Sequence, residues 1–224
     1  CCALSADTVL TSAGEALKLS EWRTDPRWGF KAWVTNPATG LKLAAGEIRL
    51  YAVSVATSKP DDWIFTNLAL ISVQGTLPKT VELAGAEELA QLAQGNTVHA
   101  FGYTHEGDLI GDADHFAVNH TPARIVAVAV HPDLPGKPRR LGIRAELPKS
   151  AYGSPIVNSQ GKVVAIYSVP FGEAGGDQNA KTPAMQDMHY ATVVNPGVIE
   201  LGLNKSDPKM WVSTTELKLP ASPK

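Results

Sequence analysis

Ten short apolar runs, none longer than nine residues, constrain this chain more than any other feature: Thr8–Thr11, Phe30–Val34, Glu47–Val55, Leu68–Val73, Thr97–Tyr103, Arg124–Val130, Leu141–Ile143, Pro155–Val157, Lys162–Val169 and Met188–Val194. Between them stand turn formers, as in Asn36-Pro37-Ala38-Thr39-Gly40, Ser58-Lys59-Pro60-Asp61-Asp62, His131-Pro132-Asp133 and Asn158-Ser159-Gln160-Gly161. Runs of this length, closed by residues that accept turn geometry, read as strands rather than helices. With 19 Gly and 16 Pro spread over 224 residues, the pattern predicts an all-β sandwich or barrel and excludes a helical bundle. Helix chemistry is confined to Gly85–Gly95, rich in Ala, Leu, Glu and Gln, and to Pro196–Leu203, which has Pro in its first turn.

A net charge of −2 argues against nucleic acid or an anionic membrane as partner, because both demand clustered Lys and Arg. The two cysteines are adjacent, Cys1 and Cys2, so the chain builds neither an internal disulfide framework nor a four-thiolate zinc site. No apolar run is long enough to cross a membrane as a helix, and the first residues lack the charged and apolar regions of a signal peptide. The sequence is expected to be a mature or excised domain, or a chain without its leading segment.

Three segments in order carry a resemblance. Ser150-Ala151-Tyr152-Gly153-Ser154-Pro155-Ile156-Val157, continuing through Gly161 to Ile166, resembles the nucleophile loop and following hairpin of trypsin-like serine proteases. Cys2-Ala3-Leu4-Ser5 through Thr8-Val9-Leu10-Thr11-Ser12-Ala13-Gly14 is similar to the strand that delivers their catalytic histidine, and Asn67-Leu68-Ala69-Leu70-Ile71-Ser72-Val73 to the strand that carries their aspartate. Val98-His99-Ala100-Phe101-Gly102-Tyr103 and His189–Val194 followed by Pro196–Ile199 resemble the opening and final strands of the second barrel. The resemblance implies two antiparallel six-stranded β-barrels, with residues 1–84 and 97–204 as N- and C-terminal barrels, a short C-terminal helix, and a tail over 205–224.

It also implies where chemistry should sit. Acyl transfer by this family needs a hydroxyl nucleophile, an imidazole base, a carboxylate to orient it, and backbone N–H groups facing the oxyanion. Aligned position by position, Gly14 stands at the histidine, Asn67 at the aspartate and Tyr152 at the serine; Ser150 stands where the loop has a Gly, while Gly153 and Pro155 are kept. The expectation is a catalytically inactive member that binds or scaffolds a protein or peptide, without a cofactor or metal. The alternative is a serine endopeptidase that recruits Ser150 or Ser154. It lacks a base close by in sequence, since none of the six histidines precedes residue 99.

Other features read more simply. His105, Asp108, Asp112, Asp114, His115 and His120 make a polar stretch that matches no particular metal motif and reads as a solvated loop. His99 lies in an apolar strand and reads as a hydrogen-bonded core or edge histidine. Glu21–Trp33 places three of the five Trp among Arg and Lys, suiting either a partner-binding ridge or a packed barrel wall. The resemblance leans toward an extracytoplasmic setting. It further implies a strand before Cys2, to be absent or supplied by another segment, and a disulfide from Cys2 to a position that here is Glu15, so that bridge cannot form.

Overall fold

The structure, a computed structural model, describes residues 1–24, 32–36, 39–54, 63–105, 116–130, 139–145, 147, 151–168, 188–205 and 211–214. In chain order the strands are β1 (Cys2–Ser5), β2 (Thr8–Ser12), β3 (Trp33–Asn36), β4 (Leu41–Ser54), β5 (Trp63–Gln74), β6 (Thr97–His105), β7 (Phe116–Val130), β8 (Arg139–Arg144), β9 (Pro155–Val157), β10 (Val163–Ser168), β11 (Met188–Val193) and β12 (Trp211–Ser213). The helices are α1 (Ala13–Thr24), α2 (Ala86–Ala90) and α3 (Pro196–Leu203). The expected mostly-β architecture is present, with two six-stranded antiparallel sheets where two six-stranded barrels were predicted. One sheet closes as a barrel, β10-β11-β8-β7-β6-β9; the other runs β1-β2-β5-β4-β12 with β3 also on β4, and stays open among the described residues.

The open sheet is buried on both faces, which explains why its central strands read as continuous apolar runs. Alternate residues point to opposite sides. Val9, Ala69 and Ile71 pack with Ala13 and Ala16 of α1, whereas Leu10, Leu68 and Leu70 join a second core shared with the closed barrel. The barrel interior is filled by Val98, Ile125, Ile143, Ile156 and Ala165, none more than 1% exposed. Closure pairs every strand on both sides and leaves no sheet edge.

Three segments differ from what the sequence predicts. Helix α1 was not expected, although Ser12-Ala13-Gly14-Glu15 carries the Ser-x-x-Glu pattern of a helix start and Ala13, Ala16 and Ser20 are buried at helical spacing. Helix α2 is shorter than Gly85–Gly95. The Glu88 carboxylate accepts from the Gly85 N–H at 2.8 Å at its start. After Ala90 the backbone turns, Asn96 Oδ1 accepts from the Ala93 N–H, and Gly95 adopts φ +93°. Finally, Trp211–Ser213, within the segment read as a tail, adds β12 to the open sheet through Trp211↔Tyr51, Val212↔Leu50 and Ser213↔Arg49. Helix α3 has the expected bounds, with Asn195 Oδ1 accepting from the Val198 N–H.

Candidate functional site

The sheet register brings two of the aligned positions to one end of the open sheet. Ser12 pairs with Leu68 at the last rung between β2 and β5, so Gly14, early in α1, and Asn67, just before Leu68, leave from the same end of that pair. The turn at Tyr152-Gly153, which comes from the other sheet, packs on the end of β2 just before them. A Cβ added to Gly153 would overlap the Thr11 hydroxyl and lie 3.4 Å from the Ser12 nitrogen. Gly153 also has φ +82°, a left-handed conformation, so both backbone and neighbour require glycine.

Backbone hydrogen bonds hold this turn rigidly against β10. Gly153 N–H donates to the Tyr167 carbonyl at 2.8 Å, Tyr167 N–H to the Ser154 carbonyl at 2.9 Å, and Ser154 N–H to the Ala151 carbonyl at 3.0 Å. Pro155 then opens β9 opposite Ile166. Ser154 is buried, and its hydroxyl lies toward β6: a Cβ on Gly102 would sit 2.7 Å from Ser154 Oγ and 3.3 Å from Ala151 Cβ.

Each aligned side chain has its own local reason. Asn67 has φ +59° and is 3% exposed. It sits where β5 carries extra residues relative to β4, between the pairs Leu50↔Ala69 and Ala52↔Phe65, a bulge whose left-handed residue suits Asn better than most side chains. Gly14 has open space: a Cβ there meets no heavy atom within 4 Å. Tyr152 is half-buried, its ring 4.9 Å from that of Tyr167.

Tyr167 and His189 are neighbours that sequence reasoning missed. Burial foremost, then Tyr152, pushes the Tyr167 phenol well above its ordinary pKa, so it stays neutral, and its hydroxyl is hydrogen-bonded to His189 Nδ1 at 2.7 Å. Tyr167 reads in the sequence as one more residue of an apolar strand and His189 as the start of another. Only the β10–β11 pairing, with Tyr167 opposite Ala191, brings the two side chains together.

Ser150, Asp108, Asp112, Asp114 and His115 lie outside the described residues, and His105 ends β6. Among the described residues no three His, Cys, Asp or Glu converge as metal ligands, and no helix is long and apolar enough to cross a membrane. Of the Trp-rich segment, residues 25–31 lie outside the described residues, while Trp33 is 46% exposed with the Lys42 ammonium 4.9 Å from its ring centre. Cys2 is buried, and burial pushes its thiol up to about 11.

Comparison with known proteins adds a family. No curated protein matches the sequence. Among solved structures, the Rv3671c protease of M. tuberculosis H37Rv in an inactive form superposes with a TM-score of 0.53 at 17% identity, over 90% of this chain and 80% of that one. The HtrA-type protease AlgW with a decapeptide gives 0.53 at 16% identity, over 90% of this chain and 50% of its own. Deg5 gives 0.52 at 16% identity, over 88% and 78%. At these identities the likeness shows the fold alone. The model of the trypsin-like peptidase domain matches residues 3–166, most of the length and all three aligned positions, and by that match the chain belongs to the trypsin-like peptidase domain family.

Proposed function

We propose that this domain has lost acyl-transfer chemistry and uses the cleft between its two sheets to bind a protein or peptide. The observation that carries the reading is the occupant of the nucleophile position: Tyr152 packs its ring on Tyr167, and the imidazole closest to hand in that cluster, His189, is hydrogen-bonded to Tyr167. Gly14 offers no base from α1, and Asn67 offers a neutral amide where a carboxylate would hold an imidazole tautomer. That last change alone costs about 10⁴ in rate in a complete triad. The rigid turn around Gly153 keeps the architecture of a nucleophile loop without its chemical groups.

A peptide is the favoured occupant because extended segments dock by adding a strand to an exposed sheet edge. Among the described residues the open sheet is the one with edges, and AlgW, which shares the fold, is known with a decapeptide. The alternative protease needs Ser150 or Ser154; Ser154 is directed at Gly102, which weighs against it. Two measurements test the proposal. The purified domain is expected to resist a fluorophosphonate probe and to leave a broad peptide library intact. Labelling or cleavage abolished by Ser150→Ala or Ser154→Ala would overturn it. Binding of extended peptides from a display library, weakened by Tyr152→Ala, is expected to report the cleft.

A further inference from the structure

On the outer face of the closed barrel two imidazoles converge. His120 Nε2 lies 3.0 Å from His99 Nδ1, with ring centres 5.0 Å apart and planes inclined by 29°. The β6–β7 register creates the pair: His99 is opposite Pro122 and Phe101 opposite His120, so the two histidines are diagonal neighbours on one face of an antiparallel ladder. Side chains so placed are within reach of each other. Phe101, 38% exposed, stacks on His120 at 4.7 Å and 20° and limits the rotation of that ring.

From this geometry we infer that His99 and His120 form a two-imidazole site for a borderline divalent transition metal ion, zinc, copper or nickel, that clips β6 to β7. Two nitrogens bound at about 2.0–2.1 Å to one tetrahedral ion stand about 3.3 Å apart, so to admit the metal the observed pair opens by a few tenths of an ångström and the two rings turn until their lone pairs converge on the ion. Imidazole selects such ions over calcium and magnesium, which take oxygen. In the hydrogen-bonded pair one of the facing nitrogens carries the proton. When the metal enters, that ring moves its proton to its other nitrogen, and both facing lone pairs coordinate. Water fills the remaining positions, since His120 is exposed.

The test is calorimetric titration of the intact chain with zinc chloride, together with thermal unfolding in zinc and in magnesium. One zinc per chain and a rise in Tm with zinc but not magnesium are expected. His120→Ala and His99→Ala are each expected to weaken binding by more than the roughly 10–100-fold that loss of a merely supporting partner costs. His120→Ala removes an exposed ring and therefore leaves a folded control, checked by its unchanged circular dichroism. No zinc uptake by the wild-type chain would overturn the inference. So would uptake that survives both substitutions, or that is lost instead with His105→Ala and His115→Ala. None of these outcomes bears on the cleft.

Discussion

The two sheets solve the same problem in different ways. The closed barrel holds itself together: each strand has two partners, and its core residues come from all six strands. The open sheet instead recruits cover from elsewhere, α1 on one face, the barrel on the other, and the C-terminal segment along β4. In that segment Trp211 packs on Tyr51 at 5.3 Å between ring centres and donates from Nε1 to the Val198 carbonyl at 2.8 Å, while buried Arg49 donates to the Gly202 carbonyl at the end of α3. A strap that begins in the barrel thus finishes on the open sheet. The comparison teaches that closure makes a sheet self-sufficient, whereas an open sheet of similar size depends on segments distant in sequence.

The strongest way to break this comparison is Trp211→Ala. It removes a 3%-exposed aromatic and is expected to cost about 3–5 kcal/mol. Hydrogen exchange should show amides of β4 and β12 losing protection while β8 and β10 keep theirs; equal loss everywhere would mean that the sheets open as one unit.

Next in size is an alkaline effect at the junction of the two sheets, where Cys2 sits in the shared core. Its thiol is held at about 11 in the fold against an ordinary 9.0. A group whose pKa is raised by folding contributes its stability below the unfolded value and loses it as pH rises through the folded one, so the loss falls between 9.0 and about 11. The contribution at stake is about 2–3 kcal/mol. Tyr51 and Tyr167, both raised by burial, act in the same direction. Denaturant unfolding at increasing alkaline pH should fall less steeply for Cys2→Ala than for the wild type; parallel curves would place the alkaline loss on the tyrosines alone.

Arg49→Met sharpens the account of the strap. Leaving the Gly202 carbonyl without its charged donor is expected to cost about 1–3 kcal/mol, measured as a fall in Tm. Combined with Trp211→Ala the two losses should not add, because both residues hold one segment. Additive losses would separate the roles of α3 and β12. The smallest effect belongs to the barrel side: Lys162 pairs with Glu82 at 3.1 Å and Glu88 at 3.2 Å on the surface. Lys162→Met is expected to leave Tm unchanged within error while removing a weak salt dependence, as water screens such pairs. A clear drop would show that the barrel, too, leans on an outside tie.

Much of this was legible in the residues. The strand runs at Thr8–Thr11, Leu68–Val73, Pro155–Val157 and Lys162–Val169 fall on β2, β5, β9 and β10, since short apolar runs between turn formers have little else to become. Helix α3 was legible from Pro196 in its first turn, because such a start is a local matter. Helix α1 was missed because its small residues Ala13, Gly14 and Ala16 make a faint helical stripe. For β12, three residues are too few to show a period, and only the exposed edge of β4 makes them a strand.

By itself the sequence determined a mostly-β chain of two sheets, the family motifs in their order, and the residues Gly14, Asn67 and Tyr152 at the aligned positions; each is a matter of residue type and near neighbours. Tertiary structure alone decided which sheet closes, that the chain's last strand returns to the first sheet, and that Tyr167 meets His189 and His99 meets His120. Those pairs depend on register between strands up to tens of residues apart, and a slip of one residue would turn each side chain to the opposite face.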